Sequence, residues 1–145
     1  MIEITHQYDA SPEKVFDAFL TVDVARHFLF ATATGEMTVA EIEPRVGGHF
    51  TFTERRPHMG DVRHVGHYLD IERPRRLVFN FGVPQFAPGA STVTIEIRAQ
   101  GGGCELVLIA ENMPAEHLEG VRDAWKRILA GLLPAYEGVH GAGWR

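Results

Sequence analysis

The chain has 145 residues, 45% of them hydrophobic and 23% charged, with 14 Lys+Arg against 19 Asp+Glu for a net charge of −5. A chain of this size buries roughly 70% of its unfolded surface in one core without metals or disulfides, and its acidic balance argues against nonspecific binding to nucleic acid or anionic membranes. Cys104 is the single cysteine, no basic and apolar leader is visible, and the longest apolar run, Leu106 to Ala110, is far short of the roughly 20 residues that span a bilayer, so a soluble cytoplasmic domain is expected.

Ile2, Ile4, His6 and Tyr8 alternate with Glu3, Thr5, Gln7 and Asp9, the period-2 pattern of a half-buried strand. Ser11, Pro12 and Glu13 then read as a helix start, with a capping hydroxyl, proline at the first helical position and an acid in the first turn. Val15, Phe16, Phe19 and Leu20 give that helix an apolar face, and a second short piece runs from about Val22 to Phe28. Strand and turn patterns follow: Thr38 to Glu43, His49 to Glu54, Arg63 to Ile71, a segment carrying Leu77, Phe79 and Phe81, Thr92 to Arg98, and Cys104 to Asn112. The loop from Gly82 to Ala90 holds Pro84 and Pro88. After Pro114 the period changes, since Leu118, Val121, Trp125, Ile128, Leu129 and Leu132 recur three and four apart. Residues 115–133 predict a rod of roughly 28 Å, ended by Pro134. A domain over residues 1–136 and a flexible tail over 137–145 follow.

An α+β architecture results: a strand, two short helices, about six further antiparallel strands and one long helix. Twist curls the sheet around that helix, and an internal pocket is the by-product of a groove too wide for one rod.

Four stretches resemble a known family. They are Ala10 to Phe19, Val46-Gly47-Gly48-His49-Phe50, Gly66 to Phe79, and Ala124 to Leu129, in which Ala124 stands where the family has glycine. Together they resemble the START-like SRPBCC superfamily, and within it the family of the heat-shock-protein-90 ATPase activator homologues. The resemblance spans roughly Met1 to Tyr136. It implies a helix-grip fold, and a family whose members include co-chaperone domains, polyketide cyclases and lipid carriers. It supplies no universal catalytic motif, so no catalytic residue is assigned.

The residues add candidates of their own. Eight histidines suggest a metal, but His64 and His67 fall on opposite faces of one strand, and no pair has helical spacing or a cysteine partner. Neither a metal site nor a cofactor is expected. His6 and His67 are expected to face the concavity, where an imidazole orients a ligand or exchanges a proton; a hydrogen-bonded rim histidine is the plainer alternative. The acids Glu41, Glu43, Asp70, Glu72, Glu96, Glu105 and Glu111 sit mostly on outward positions, and Cys104 lacks a local histidine to activate it. Arg55, Arg56 and Arg63 flank one turn and Arg73, Arg75 and Arg76 the next, roughly 25–30 Å apart at 3.4 Å per residue, which reads as two solvated tips.

Aromatic positions carry the most specific signal. Tyr8, Phe50, Phe79, Phe81 and Trp125 fall on inward faces, with Phe28 and Phe30 at the mouth. The leading expectation is non-covalent binding of an apolar or aromatic small molecule between sheet and helix, lined by Tyr8, Phe28, Phe50, His67, Phe79, Phe81 and Trp125 and gated by the Gly82–Ala90 loop. A protein-interaction module acting on a chaperone through a basic tip is the alternative. A cyclase-type enzyme, which requires an inward acid/base pair, is the second.

Overall fold

A computed structural model of the chain describes residues 1–84, 91–112 and 115–140. The elements are β1 (Ile2–Tyr8), α1 (Pro12–Leu20), α2 (Val22–Ala25), β2 (Glu36–Ile42), β3 (His49–Arg56), β4 (Gly60–Glu72), β5 (Arg76–Gly82), β6 (Ser91–Gln100), β7 (Gly103–Glu111), a single 3₁₀ turn (Ala115–His117) and α3 (Leu118–His140). All strand pairs are antiparallel. They form one seven-stranded sheet in the order β1-β7-β6-β5-β4-β3-β2, curved around α3 in the helix-grip arrangement that the sequence implies. No helix among the described residues is long and apolar enough to cross a membrane.

Local chemistry explains the first turn of α1. The Ser11 hydroxyl accepts from the Lys14 N–H at 3.2 Å, and Pro12 occupies a position whose N–H would have no helical partner. The helix buries Val15, Phe16, Ala18 and Phe19 against the inner face of β1, β6 and β7, where Ile2, Ile4, Val93, Ile95, Leu106 and Leu108 are also buried.

Strand β4 departs from the expected phase. Its register places Gly66 opposite Phe50, His64 opposite Phe52 and Val62 opposite Glu54, and directly paired residues share a face. The inner face of β4 is therefore Val62, His64, Gly66 and Tyr68, and His67 stands outward and exposed. A register shift between Tyr68 and Asp70 leaves Leu69 47% exposed and turns Ile71 back against the core. Gly66 is required where it is, because a methyl there would collide with the Asn80 carbonyl and the Phe50 ring.

The long helix also departs from expectation. Instead of stopping at Pro134, it continues to His140, so residues 137–140 are helical rather than tail; residues 141–145 lie outside the described residues. Proline removes the bond to the Ala130 carbonyl, but Ala130 and Pro134 are both exposed, where water replaces it. Leu133, Ala135 and Tyr136 still pack on the core, and the Lys14 ammonium lies 5.0 Å from the Tyr136 ring centre.

Tyr8 joins the sheet to this helix. Its hydroxyl donates to the Leu129 carbonyl at 2.7 Å in a buried bond, and burial, with Cys104 as a lesser contributor, holds the phenol well above the usual tyrosine range. Tyr8→Phe is expected to cost about 1 kcal/mol, the usual net worth of one such bond, read as a lowered urea midpoint with unchanged circular dichroism. Gly66→Ala is expected to cost more, about 1–3 kcal/mol, because backbone as well as side chain must move.

Candidate functional site

The inner face of β3 carries Phe50, Phe52 and then Glu54, all buried. A carboxylate 1% exposed is stable only when its oxygens are occupied. One Glu54 oxygen accepts from the Thr32 N–H at 2.7 Å and from the Thr32 hydroxyl at 3.0 Å. The other accepts from Arg56 Nε at 2.6 Å. Arg56 Nη2 also reaches the Phe30 carbonyl at 3.5 Å. These bonds fasten the segment after α2 to the sheet.

Phe30 sits in that segment with a left-handed backbone, φ 59°, a strained conformation for a bulky residue that costs about 1–3 kcal/mol. It places the Phe30 ring at the hub of an aromatic cluster. His64 stacks on it at 4.4 Å, and Phe50, Phe81 and Trp125 surround it at 6.0, 5.1 and 5.7 Å.

Between this cluster and the first half of α3 lies a cavity of about 270 Å³. Phe30, Phe81, Val121, Trp125 and Ile128 supply its apolar wall, and Thr32, Arg56, His64 and Arg127 its polar groups. His64 is 9% exposed and its Nδ1 has no hydrogen-bond partner among the described residues. Burial, reinforced by the nearby Arg56 charge and opposed by Glu54, pushes the imidazole down to about 4, so it is neutral at pH 7.

Of the residues expected to line a ligand site, Phe81 and Trp125 border this cavity. Phe50 and Phe79 form the layer behind, Phe79 lying 6.4 Å from both Phe81 and Trp125. Phe28 packs edge-on against Phe19 at 5.4 Å, and Tyr8 is committed to Leu129; neither lines this cavity. His67 is on the opposite face of the sheet, its ring 5.5 Å from that of His49 and its backbone N–H donating to the Asn80 side-chain oxygen. His6 is half-buried, 4.4 Å from the Tyr8 ring. The expected inward pair of His6 and His67 is therefore not formed.

Of the Gly82–Ala90 loop, Val83 borders the cavity, and residues 85–90 lie outside the described residues. Arg56 is not part of a solvated tip: its side chain is 21% exposed and bound to Glu54. The second basic turn is balanced by acids, through Arg73 to Asp17, Arg75 to Glu72, and Arg76 to Asp70 and Glu96. Among the described residues no three His, Cys, Asp or Glu side chains are grouped to hold a metal ion.

Glu54 continues the Phe50 and Phe52 alternation, so its inward direction was readable. Thr32, by contrast, sits in a segment with no period. A neutral buried histidine takes up protons less readily than the same residue unfolded, whose value is 6.5. Between about pH 6.5 and 4 the unfolded state binds more protons, so stability falls as pH drops through that window. Relative to His64→Phe, the wild type is expected to lose about 2–3 kcal/mol more between pH 7 and 4.5, measured by urea unfolding at each pH.

Comparison with known proteins places this geometry. Residues 9–136 match the family described as "Activator of Hsp90 ATPase homolog 1-like protein". The human protein "Activator of 90 kDa heat shock protein ATPase homolog 1" is 25% identical over 127 residues, covering 87% of this chain and 33% of the human protein; the chain thus spans about a third of that relative. The crystal structure of a Chromobacterium violaceum protein superposes with a TM-score of 0.81 at 23% identity, covering 92% of this chain and 94% of the other. One from Nitrosomonas europaea gives 0.80 at 16% identity, with 94% of each chain covered. The fold is shared with both, and the chain belongs to the family of Hsp90 ATPase activator homolog 1-like proteins.

Proposed function

We propose that this chain binds a small apolar or aromatic molecule, without covalent chemistry, in the cavity between α3, the Phe30–Thr32 segment and strands β3–β5. One observation carries the reading: the wall of Phe30, Phe81, Val121, Trp125 and Ile128 borders about 270 Å³ of space. Ligand sites commonly measure about 300–1,000 Å³, so the guest is small, on the scale of two fused rings. Burying about 250 Å² of its apolar surface contributes about 6 kcal/mol at 25 cal/mol per Å², before the losses of association reduce it.

A second reading has its own support. The family match and the human relative's name favour an interaction module that stimulates a 90-kDa heat-shock-protein ATPase. It predicts raised ATP turnover when this chain is added to such a chaperone, and a stimulation indifferent to filling the cavity.

Gly120 provides the discriminating variant. It borders the cavity, and a side chain starting there meets nothing within 4 Å. Gly120→Leu is expected to weaken binding of the neutral fluorophore N-phenyl-1-naphthylamine at least tenfold while leaving the fold at least as stable, since leucine favours a helix over glycine by up to about 1 kcal/mol. Fluorescence titration checks the first and thermal unfolding the second. Native mass spectrometry of protein from its own host is expected to show a bound small molecule that the variant loses. Unsaturable binding, or binding indifferent to Gly120→Leu, counts against the ligand reading.

A further inference from the structure

The cavity differs in charge from the chain that forms it. The protein carries a net charge of −5, yet among the described residues the cavity lining holds two guanidinium groups, Arg56 and Arg127, and no carboxylate. Glu54 offsets Arg56 only in part. It stands outside the lining, and both its oxygens are already occupied by Thr32 and Arg56. Arg56 has five N–H donors, and its named bonds, from Nε to Glu54 and Nη2 to Phe30, use two.

A third polar group faces the same space. His64 lines the cavity, is 9% exposed and keeps Nδ1 without a partner. Unmatched buried polar atoms in a native structure call for a partner from elsewhere. A neutral guest that sealed this cavity would strip water from Arg56 and return nothing. An acid would return a charge-assisted bond to it.

Building on the ligand reading above, we propose that the preferred guest is a small aromatic carboxylic acid, its ring system against Phe30, Phe81 and Trp125 and its carboxylate among Arg56, His64 and Arg127. Arg56 is the anchor, because Glu54 holds its guanidinium in place before the guest arrives. Arg127, exposed on α3, adds attraction at the mouth, and His64 donates from its neutral imidazole.

Naphthalene-1-acetate and naphthalene-1-acetamide make a matched pair that differs in charge and little else. Isothermal titration calorimetry at pH 7 is expected to show the acetate binding about 30-fold or more tighter than the acetamide. Arg127→Gln is expected to weaken the acetate about tenfold, and so to narrow its advantage over the acetamide. Arg56→Gln is best read with Glu54→Gln in the same chain, so that no buried charge loses its partner, and this double variant is expected to erase most of the preference. Circular dichroism verifies that each variant folds. Equal affinity for the two probes overturns the acid preference while the cavity reading stands. A preference that survives both the Arg127 and the Arg56 variants also overturns it, since the charge would then be read elsewhere. Failure of both probes to bind, together with a neutral fluorophore indifferent to Gly120→Leu, overturns the cavity reading and this inference with it.

Discussion

Glu54 is a carboxylate buried on the inner face of β3, and the cavity follows from having to satisfy it. Leaving such a charge unpaired costs several kcal/mol, comparable with the whole stability of a domain this size. Thr32 and Arg56 meet the demand, and in doing so they fix the chain between α2 and β2. Phe30 is carried along into a left-handed conformation that is tolerated because the segment on its far side is tied down. The ring then covers Phe50, Phe52 and His64 and becomes one wall of the cavity. A polar anchor is thus what positions an apolar surface. On the other side of the carboxylate, Gly35 fits because a side chain there would collide with it.

The grip of helix on sheet is uneven along the groove, and that unevenness decides where space remains. Toward β1 the contact is closed: Tyr8 bonds the helix backbone, and Leu129 and Leu132 are fully buried. Toward β4 and β5, His64 and Phe81 border open volume, and Gly66 leaves room for the edge of the Phe50 ring. The expectation of a site running from Tyr8 to Trp125 therefore covers two regions of different kind. One half is packed core, and the other borders open volume.

Alternation made the strands legible, and the three- and four-residue spacing from Leu118 to Leu132 made the long helix legible. Phase was harder. β4 contains two interleaved sets, Val62, His64, Gly66, Tyr68 and Val65, His67, Leu69, Ile71, and the second is the more apolar. Counting hydrophobic residues therefore chooses wrongly, whereas pairing with β3, whose Phe50 and Phe52 have an unambiguous face, chooses the first. That same reasoning brings Glu54 inward. Thr32 had no such signal, because a loop residue that caps a buried acid from 22 positions away leaves no period in the sequence. Pro134 misled for a physical reason too: its local rule holds, but packing of Tyr136 beyond it outweighs one lost bond on a wet face.

Small residues on α3 show how the same device closes one region and opens another. A methyl at Gly131 would rest 3.5 Å from the Phe28 Cβ, so there the neighbouring segment comes up against the helix. At Gly120 nothing stands within 4 Å, and at Ala124 the wall is again the cavity. Sealed and dry, a void of about 270 Å³ would cost about 6 kcal/mol at 24 cal/mol per Å³, too much for a domain of ordinary stability. The fold avoids that penalty by leaving Gly120 and Arg127 on an exposed rim and by lining the space with the guanidinium of Arg56, which water can bind. The polar groups that make the cavity tolerable without a guest are therefore the same ones on which the proposed preference for an acid rests.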